Sequence, residues 1–389
     1  MKVLHNFILF SMEVGSGTTD FMYKICKAQA KVGLKPTILS GSYAFDQVLA
    51  DNLDGVDFHK EKTWLHKQGF SLMPRLIPWC RKNLKQYDLV HMHAYGTFQN
   101  IVLYYYCRKY EIPYIIDAHG SVPYFIKKIF IKKLFDKFIG KSILKNASFL
   151  LAESKKGIEE YKKIIPDLLD SKLRIVYPSF DLEEFKSLPD WGRFRKSQGL
   201  SSEINIVMFV GRLNPIKGLE FLIRSFAKLA SNSPNSKLYI VGEDEGTGYR
   251  ASLIDIIKEY QMEDSVVFSG FLTGYDKLSA IMDASVLVQC SRQEQGPRVP
   301  FEAVLLGTPV IVTQDTGSGE IVTQFDAGHV VEYNNTEQLS ESLQSVIDNL
   351  EDARNRTNKA AIKIKKNMSL EKVVIQYQEL YVAAKKSVL

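Results

Sequence analysis

The 389-residue sequence predicts an α/β protein of two successive doubly wound, Rossmann-like units, and three observations carry that prediction. Short apolar, β-branched runs alternate with amphipathic helical stretches along the chain, the pattern of parallel sheets covered by helices. The length exceeds what one hydrophobic core usually serves. The charge is also unevenly shared: residues 1–180 hold 27 Lys+Arg against 16 Asp+Glu, an excess of +11, which leaves −5 for the remainder of a chain with net charge +6. Halves of opposite sign face different partners.

In the first half, strands are predicted over 3–10, 36–40, 89–93, 114–117, 149–152 and 174–177, with helices such as 20–32 and 98–110 between them. In the second half the strands fall at 205–210, 237–241, 266–268, 285–289 and 309–313, separated by helices such as 219–229 and 249–259. The stretch 178–202 lacks a sustained period and contains Pro189 and Gly199, so the linker lies near its start. The resulting domains are 1–180 and 181–368, followed by a terminal segment 369–389. That segment carries one apolar stripe, Val373, Val374, Tyr377, Leu380 and Tyr381, which needs a surface to bury against. The simplest reading has it close the second domain. Ligands of a doubly wound sheet lie beyond the carboxyl ends of its strands, so two such sheets facing each other define a cleft between the domains.

Composition excludes several classes. A hydrophobic share of 45% and a charged share of 24% are those of an ordinary globular protein. Cys26, Cys80, Cys107 and Cys290 form no C-x-x-C pair, which argues against a zinc module, a redox dithiol or a secreted disulfide framework and fits a reducing, cytoplasmic compartment. The start, M-K-V-L-H-N-F-I-L-F, is a poor signal peptide, and no run reaches the length of about 20 apolar residues that a membrane span requires.

Two motifs in the second half carry chemistry. In S-R-Q-E-Q-G-P-R-V-P-F-E-A-V-L-L-G-T-P-V-I, residues 291–311, Glu294 is expected at a strand end and Glu302 in the first turn of a helix opened by Pro300 and closed by Gly307. Their spacing lets both carboxylates point into one crevice, where carboxylates accept hydrogen bonds from ribose and sugar hydroxyls. Taken singly, Glu302 could merely complement a helix N-terminus and Glu294 be a solvated loop charge. In F-V-G-R-L-N-P-I-K-G-L, residues 209–219, Gly211 permits a tight turn, Gly218 opens the next helix, and Arg212 and Lys217 are spaced to converge on its N-terminus, which suits a pyrophosphate.

Together these motifs resemble the retaining glycosyltransferases of the group 1 or family 4 type, built on the GT-B fold of two facing Rossmann-like domains. The resemblance spans essentially the whole chain and is specific over 207–219 and 286–322. It implies that Arg212 and Lys217 hold the donor diphosphate, Glu302 the nucleotide ribose, and that Glu294, with Gly296, Pro297 and Arg298 beside it, faces the transferred sugar. Gly15-Ser16-Gly17 matches the family's glycine-rich loop near the donor phosphate, and His119 in D-A-H-G (117–120) matches a histidine near the reacting sugar. The loop 315–322 matches one that closes over the donor, and the last helix is implied to cross back to the first domain. Domain closure is expected at the linker and that helix. Two departures stand out: the usual G-F-G-L after the first Glu reads Gln295, Gly296, Pro297, Arg298, and N-G-x-D reads P-S-F-D, keeping only Asp181.

His91 and His93 share one face of a strand, but no third ligand is near in sequence, and by the family's likeness neither a metal nor any other cofactor is expected. Residues 121–145 hold seven lysines, one aspartate and interleaved Phe and Ile. On one helix, Lys128, Lys132 and Lys133 would share a face and Phe130, Leu134, Phe138 and Ile139 much of another. This composition suits an anionic membrane surface, with Lys127, Lys128, Lys132, Lys133 and Lys137 as contacts; a core-facing stripe with a solvated basic face is the plainer reading. No nucleic-acid module accompanies the charge.

The expected activity is hexosyl transfer, with retention, from a nucleoside diphosphate sugar to a hydroxyl of a glycan or lipid-linked glycan, in cell-surface polysaccharide or glycolipid synthesis. His119, Glu294, Arg212 and Lys217 are the candidate catalytic set, and the expected location is cytoplasmic or peripheral on the inner face of the membrane. A nucleotide-sugar epimerase and a non-catalytic scaffold of a glycan assembly complex are the competing readings.

Overall fold

The computed structural model describes residues 1–67, 70–122, 129–244, 246 and 248–386. Its contacts divide the chain into two compact units, Met1–Ser179 with Leu370–Leu389, and Phe180–Ser369.

The strands of the first unit are β1 (Lys2–Leu9), β2 (Lys35–Gly41), β3 (Asp57–Glu61), β4 (Leu65–Lys67), β5 (Phe70–Leu72), β6 (Leu89–His93), β7 (Tyr114–Asp117), β8 (Phe149–Ala152) and β9 (Leu173–Ile175). Seven of them form a sheet in the order β3-β2-β1-β6-β7-β8-β9, and β4 and β5 pair as an antiparallel hairpin. Every neighbouring pair in the large sheet is parallel. Parallel strands covered on both faces read as continuous apolar runs, and β1 and β6 bury successive residues accordingly. The second unit contains β10 (Asn205–Val210), β11 (Ser236–Val241), β12 (Val266–Gly270), β13 (Val286–Gln289), β14 (Val310–Thr313) and β15 (Gly328–Val331), all parallel in the order β12-β11-β10-β13-β14-β15.

Local chemistry sets the helix ends. Thr97 caps the helix Phe98–Tyr110 by accepting from Asn100 N at 3.1 Å, and Glu111 ends it in the left-handed region. Thr316 caps Gly317–Phe325 in the same way, through Gly319 N. Gly218 adopts φ +69° to turn the chain into the helix Leu219–Asn232, and a methyl group there would strike the carbonyl oxygen of Cys290.

Two expectations are corrected. The first helix runs from Met12 to Lys31, so Gly15, Ser16 and Gly17 lie in its early turns and form no loop. Thr19 Oγ1 ties down its start through the N–H and carbonyl of Ser11, at 3.2 and 2.9 Å, and Glu13 complements the N-terminal dipole. Once Met22, Ile25 and Cys26 bury the far turns, propagation outweighs the roughly 1 kcal/mol cost of each glycine. The last helix, Leu370–Lys386, which on its apolar stripe alone would close the second domain, packs instead on the first sheet, where the family resemblance puts it: Val373, Val374, Tyr377, Leu380 and Tyr381 join a core with Val3, Leu89, Ile115 and Val176.

Two glycines should therefore respond oppositely to alanine in denaturant titrations. Gly218→Ala is expected to cost about 1–3 kcal/mol through backbone strain and collision. Gly17→Ala, where an added methyl meets nothing within 4 Å, should be neutral or stabilising by up to about 1 kcal/mol.

Candidate functional site

The second sheet reverses its strand order between β10 and β13, which lie side by side while their successors run to opposite edges. Loops leaving two such strands diverge and open a crevice beyond their carboxyl ends. Both sequence motifs lie on these two loops.

After β10, Gly211 N and Leu213 N bond to Val241 O and Glu243 O, which holds the loop along the path of β11. Asn214 Oδ1 accepts from Ile216 N and shapes the 3₁₀ turn Pro215–Lys217. Lys217 Nζ then donates to Glu294 Oε1 at 2.6 Å. The other carboxylate oxygen of Glu294 accepts from Ser291 Oγ at 2.7 Å and Gln289 Nε2 at 3.1 Å. The backbone fixes this loop as well, through Arg292 N to Ile216 O and Gly317 N to Glu294 O, each 2.8 Å. Cys290 is buried beneath; its Sγ lies 3.3 and 3.2 Å from the carbonyls of Lys217 and Gly218, and burial pushes its pKa up to about 12, so it is a thiol donor and not a nucleophile.

Glu294 thus stands in the loop after β13 and not at the strand end. Glu302 occupies the first turn of the helix Val299–Leu305, behind Pro300, and its Oε2 accepts from Lys277 Nζ at 2.8 Å. The two glutamates are therefore held by different lysines. Lys277 comes from the helix Gly274–Asp283, outside both motifs, and no signal in the sequence marked it. Ser291 opens the first motif and Gln289 lies two residues before it; both were legible only as neighbours of Glu294. Arg298 lies over the Phe180 ring at 5.1 Å, Pro297 is buried, Gly296 is half-buried and Arg212 is exposed.

The first sheet reverses between β1 and β6, and histidines gather there. His119 follows β7 with φ +44°, a conformation that costs a non-glycine residue about 1–3 kcal/mol and clusters at functional sites. Its Nε2 lies 2.9 Å from His93 Nδ1, and its Nδ1 lies 3.3 Å from Asp117 Oδ1 and 3.5 Å from Glu153 Oε1. Burial opposes charge on His119, but Asp117 and Glu153 outweigh it and raise the pKa above the ordinary value. Burial also pushes the Asp117 carboxyl up, opposed by His119.

His91 and His93 do acquire a neighbour that spacing could not reveal: His5, paired in register with His91 across β1 and β6, brings the three to within 4.8 Å by their potential ligand atoms. The rings bond instead to one another and to surrounding groups, as His5 Nδ1 to His93 Nε2 at 3.1 Å. Burial lowers His5 to about 4, against its hydrogen bond to Gln29, and holds His91 and His93 well below the ordinary histidine value.

The basic segment differs from a single amphipathic helix. Lys127 and Lys128 lie outside the described residues. Beyond them the chain forms a helix over Ile129–Phe135, a π turn over Asp136–Gly140 and a helix over Lys141–Asn146. The widened turn brings Gly140 against Tyr95, whose hydroxyl bonds to Asp136. Lys132 does not share an exposed face with Lys133; its Nζ donates to Ser121 O at 2.9 Å. Ile139 packs on the core, whereas Leu134 and Phe138 are 45% and 72% exposed among exposed Lys133 and Lys137. Among the described residues, no helix is long and apolar enough to cross a membrane.

With this geometry stand the likenesses to known proteins. Residues 15–184 match the family model for Glycosyltransferase Family 4, and residues 192–364 the model for Glycosyl transferases group 1. The chain belongs to the group 1 glycosyltransferases and has their GT-B fold. An uncharacterised glycosyltransferase of Methanocaldococcus jannaschii is 26% identical over 281 residues, 70% of each chain. The N-acetyl-alpha-D-glucosaminyl L-malate synthase of Bacillus anthracis is 26% identical over 192 residues, so the match spans about half of that relative's length, 49% of each chain. In structure, Anabaena HepE, solved with UDP and glucose, superposes with a TM-score of 0.79 at 18% identity, covering 98% of this chain and 100% of that one.

The buried histidines predict acid sensitivity. A histidine whose pKa is depressed on folding contributes stability that is full above about pH 6.5 and is lost as the pH falls toward its folded value. For His5, lowered to about 4, this amounts to about 3 kcal/mol. His119, raised, contributes in the opposite sense, with stability present below about pH 6.5 and lost as pH rises through its folded pKa. Urea unfolding at pH 7, 6 and 5 should show a steep loss of stability, flattened in His5→Gln.

Proposed function

We propose that the protein transfers a hexose from a nucleoside diphosphate sugar to an acceptor hydroxyl, with retention, its second unit holding the donor and its first the acceptor. The observation that carries this reading is the Lys217–Glu294 pair at the strand-order reversal. Lys217 stands where the loop after β10 enters the helix Leu219–Asn232, so its ammonium and the helix N-terminus together suit a diphosphate. In a bound donor the phosphate takes over the ammonium, and Glu294, still held by Ser291 and Gln289, is left to accept from sugar hydroxyls. Arg212 adds a second cation against the charge that develops on the leaving diphosphate. Glu302, steadied by Lys277, suits the ribose. No catalytic metal or other cofactor is part of this proposal. HepE, solved with UDP and glucose, makes UDP-glucose the first donor to test.

For the acceptor we favour a glycan or lipid-linked glycan met at an anionic membrane from the cytoplasmic side, in glycolipid or cell-surface polysaccharide synthesis. Exposed Leu134 and Phe138 with Lys133 and Lys137 support this.

Thermal unfolding with UDP-, GDP-, ADP- and dTDP-sugars, without metal, tests the donor. A ligand at 100 times its Kd stabilises by about 2.7 kcal/mol, a shift of roughly 5–10 °C for a unit of this size. Lys217→Ala should abolish the shift and lower kcat/KM by about 10²–10³-fold while leaving the unliganded melting temperature within a few degrees. No shift with any nucleotide sugar would sink the reading, and sugar isomerisation without acceptor would point to an epimerase. In sedimentation with vesicles containing anionic lipid, replacing Lys133 and Lys137 by alanine should weaken binding about thirtyfold, at about 1 kcal/mol per lysine.

A further inference from the structure

The interior of the first unit holds an unbroken line of hydrogen bonds that begins at His119 and ends on the last helix. His119 Nε2 lies 2.9 Å from His93 Nδ1, His93 Nε2 3.1 Å from His5 Nδ1, and His5 Nε2 2.8 Å from Gln29 Oε1. Gln29 Nε2 donates to the Tyr381 hydroxyl at 2.9 Å, and that hydroxyl lies 2.9 Å from His91 Nδ1. His5, His91, His93, Gln29 and Tyr381 are all fully buried.

Each bond fixes the next. The Gln29 amide donates to Tyr381, so its oxygen faces His5 and must receive the Nε2 proton of that ring. A neutral His5 then has a bare Nδ1, which accepts from His93 Nε2–H. His93 in turn has a bare Nδ1, which accepts from His119 Nε2–H. At the far end, Tyr381 receives the Gln29 proton and gives its own to His91 Nδ1. On its other side, His119 Nδ1 faces only acceptors, the carboxylates of Asp117 and Glu153. With protons on both nitrogens, His119 serves His93 on one side and turns an N–H on the other toward Asp117 Oδ1, a buried oxygen that no hydrogen bond among the described residues satisfies.

We propose that His93, His5, Gln29 and Tyr381 are positioning residues that form a one-way relay and lock His119 as a doubly protonated imidazolium. His119 then has no lone pair with which to accept a proton; it is a fixed positive charge, oriented by a chain that reaches to the last helix. The groups facing it are Asp117 and Glu153 at its Nδ1, His93 at its Nε2, and the Phe21 ring edge from the first helix, with Tyr377 donating to Asp117 from the last helix and Tyr161 near that carboxyl. The link to transfer rests on the reading that His119 lies beside the reacting sugar; the relay itself does not.

Nitrogen NMR of the full chain labelled with [15N]histidine reads the protons directly. At pH 7 we expect His93, His5 and His91 as neutral Nε2–H tautomers and His119 with both nitrogens protonated. Gln29→Leu, which removes the acceptor for His5, should lower the pH at which His119 loses its second proton by about one unit. Gln29→Glu, which keeps an acceptor for His5, should restore it. An Nδ1–H tautomer at His93 or His5 would mean that the line runs the other way, with His119 neutral, and would overturn the proposal. So would retention of one equivalent of zinc with ring nitrogens of His5 and His93 as ligands, or a His119 titration unmoved by Gln29→Leu. The expected tautomers in a protein that binds no nucleotide sugar would support the relay and remove the transferase reading.

Discussion

Each unit depends on one strand pairing, β1 with β6 in the first and β10 with β13 in the second. A parallel sheet wound outward in both directions from its centre must have a place where neighbouring strands send their connections to opposite edges. At that place no helix covers the strand ends, and backbone groups, helix N-termini and loop side chains are left to face a ligand. In the second unit this crevice collects Lys217 and Glu294, which are 77 residues apart. In the first unit the same reversal sets His5 against His91 and brings His93 close to both.

The ion pair at the second reversal is better understood as an arrangement than as a source of stability. Partly exposed pairs contribute little net free energy, because desolvation offsets attraction. Lys217 and Glu294 are 14% and 22% exposed, dry enough for the charges to interact strongly and open enough for another anion to enter. Ser291 and Gln289 keep Glu294 in place whether or not the lysine stays with it. A site arranged in this way loses little when the lysine changes partner, which is the property wanted where a charged ligand must come and go.

Much of the fold was legible because parallel strands covered on both faces announce themselves as apolar runs; the helices Phe98–Tyr110 and Tyr249–Glu259 match their sequence periods from end to end. The elements that escaped are polar or short. The edge strand β3, Asp57–Glu61, carries His59 and Lys60, and β15 opens with Gly328 and His329. The early helix start was hidden by two glycines that propensity assigns to a turn. Motif spacing singled out Glu294, Glu302 and Lys217, but not the side chains they bond to, since Lys277 and the line from His5 through Gln29 to Tyr381 arise from strand order and from the returning last helix. The lysine-rich segment misled for a similar reason: its composition suggests one amphipathic helix, while the π turn over Asp136–Gly140, held where Asp136 meets the Tyr95 hydroxyl, reorients the residues around it.

The return of residues 370–386 to the first sheet bears on how the chain acquires its structure during synthesis. Domains generally fold as units as they leave the ribosome, earlier ones first. Here the second unit is one continuous stretch, Phe180–Ser369, whereas the first lacks Val373, Val374, Tyr377, Leu380 and Tyr381 from its core until the last helix emerges. The unit translated first is therefore the one completed last. Until then the apolar face around Val3, Leu89 and Ile115 lacks the side chains that cover it in the finished unit, and exposed apolar surface of that kind invites aggregation during synthesis.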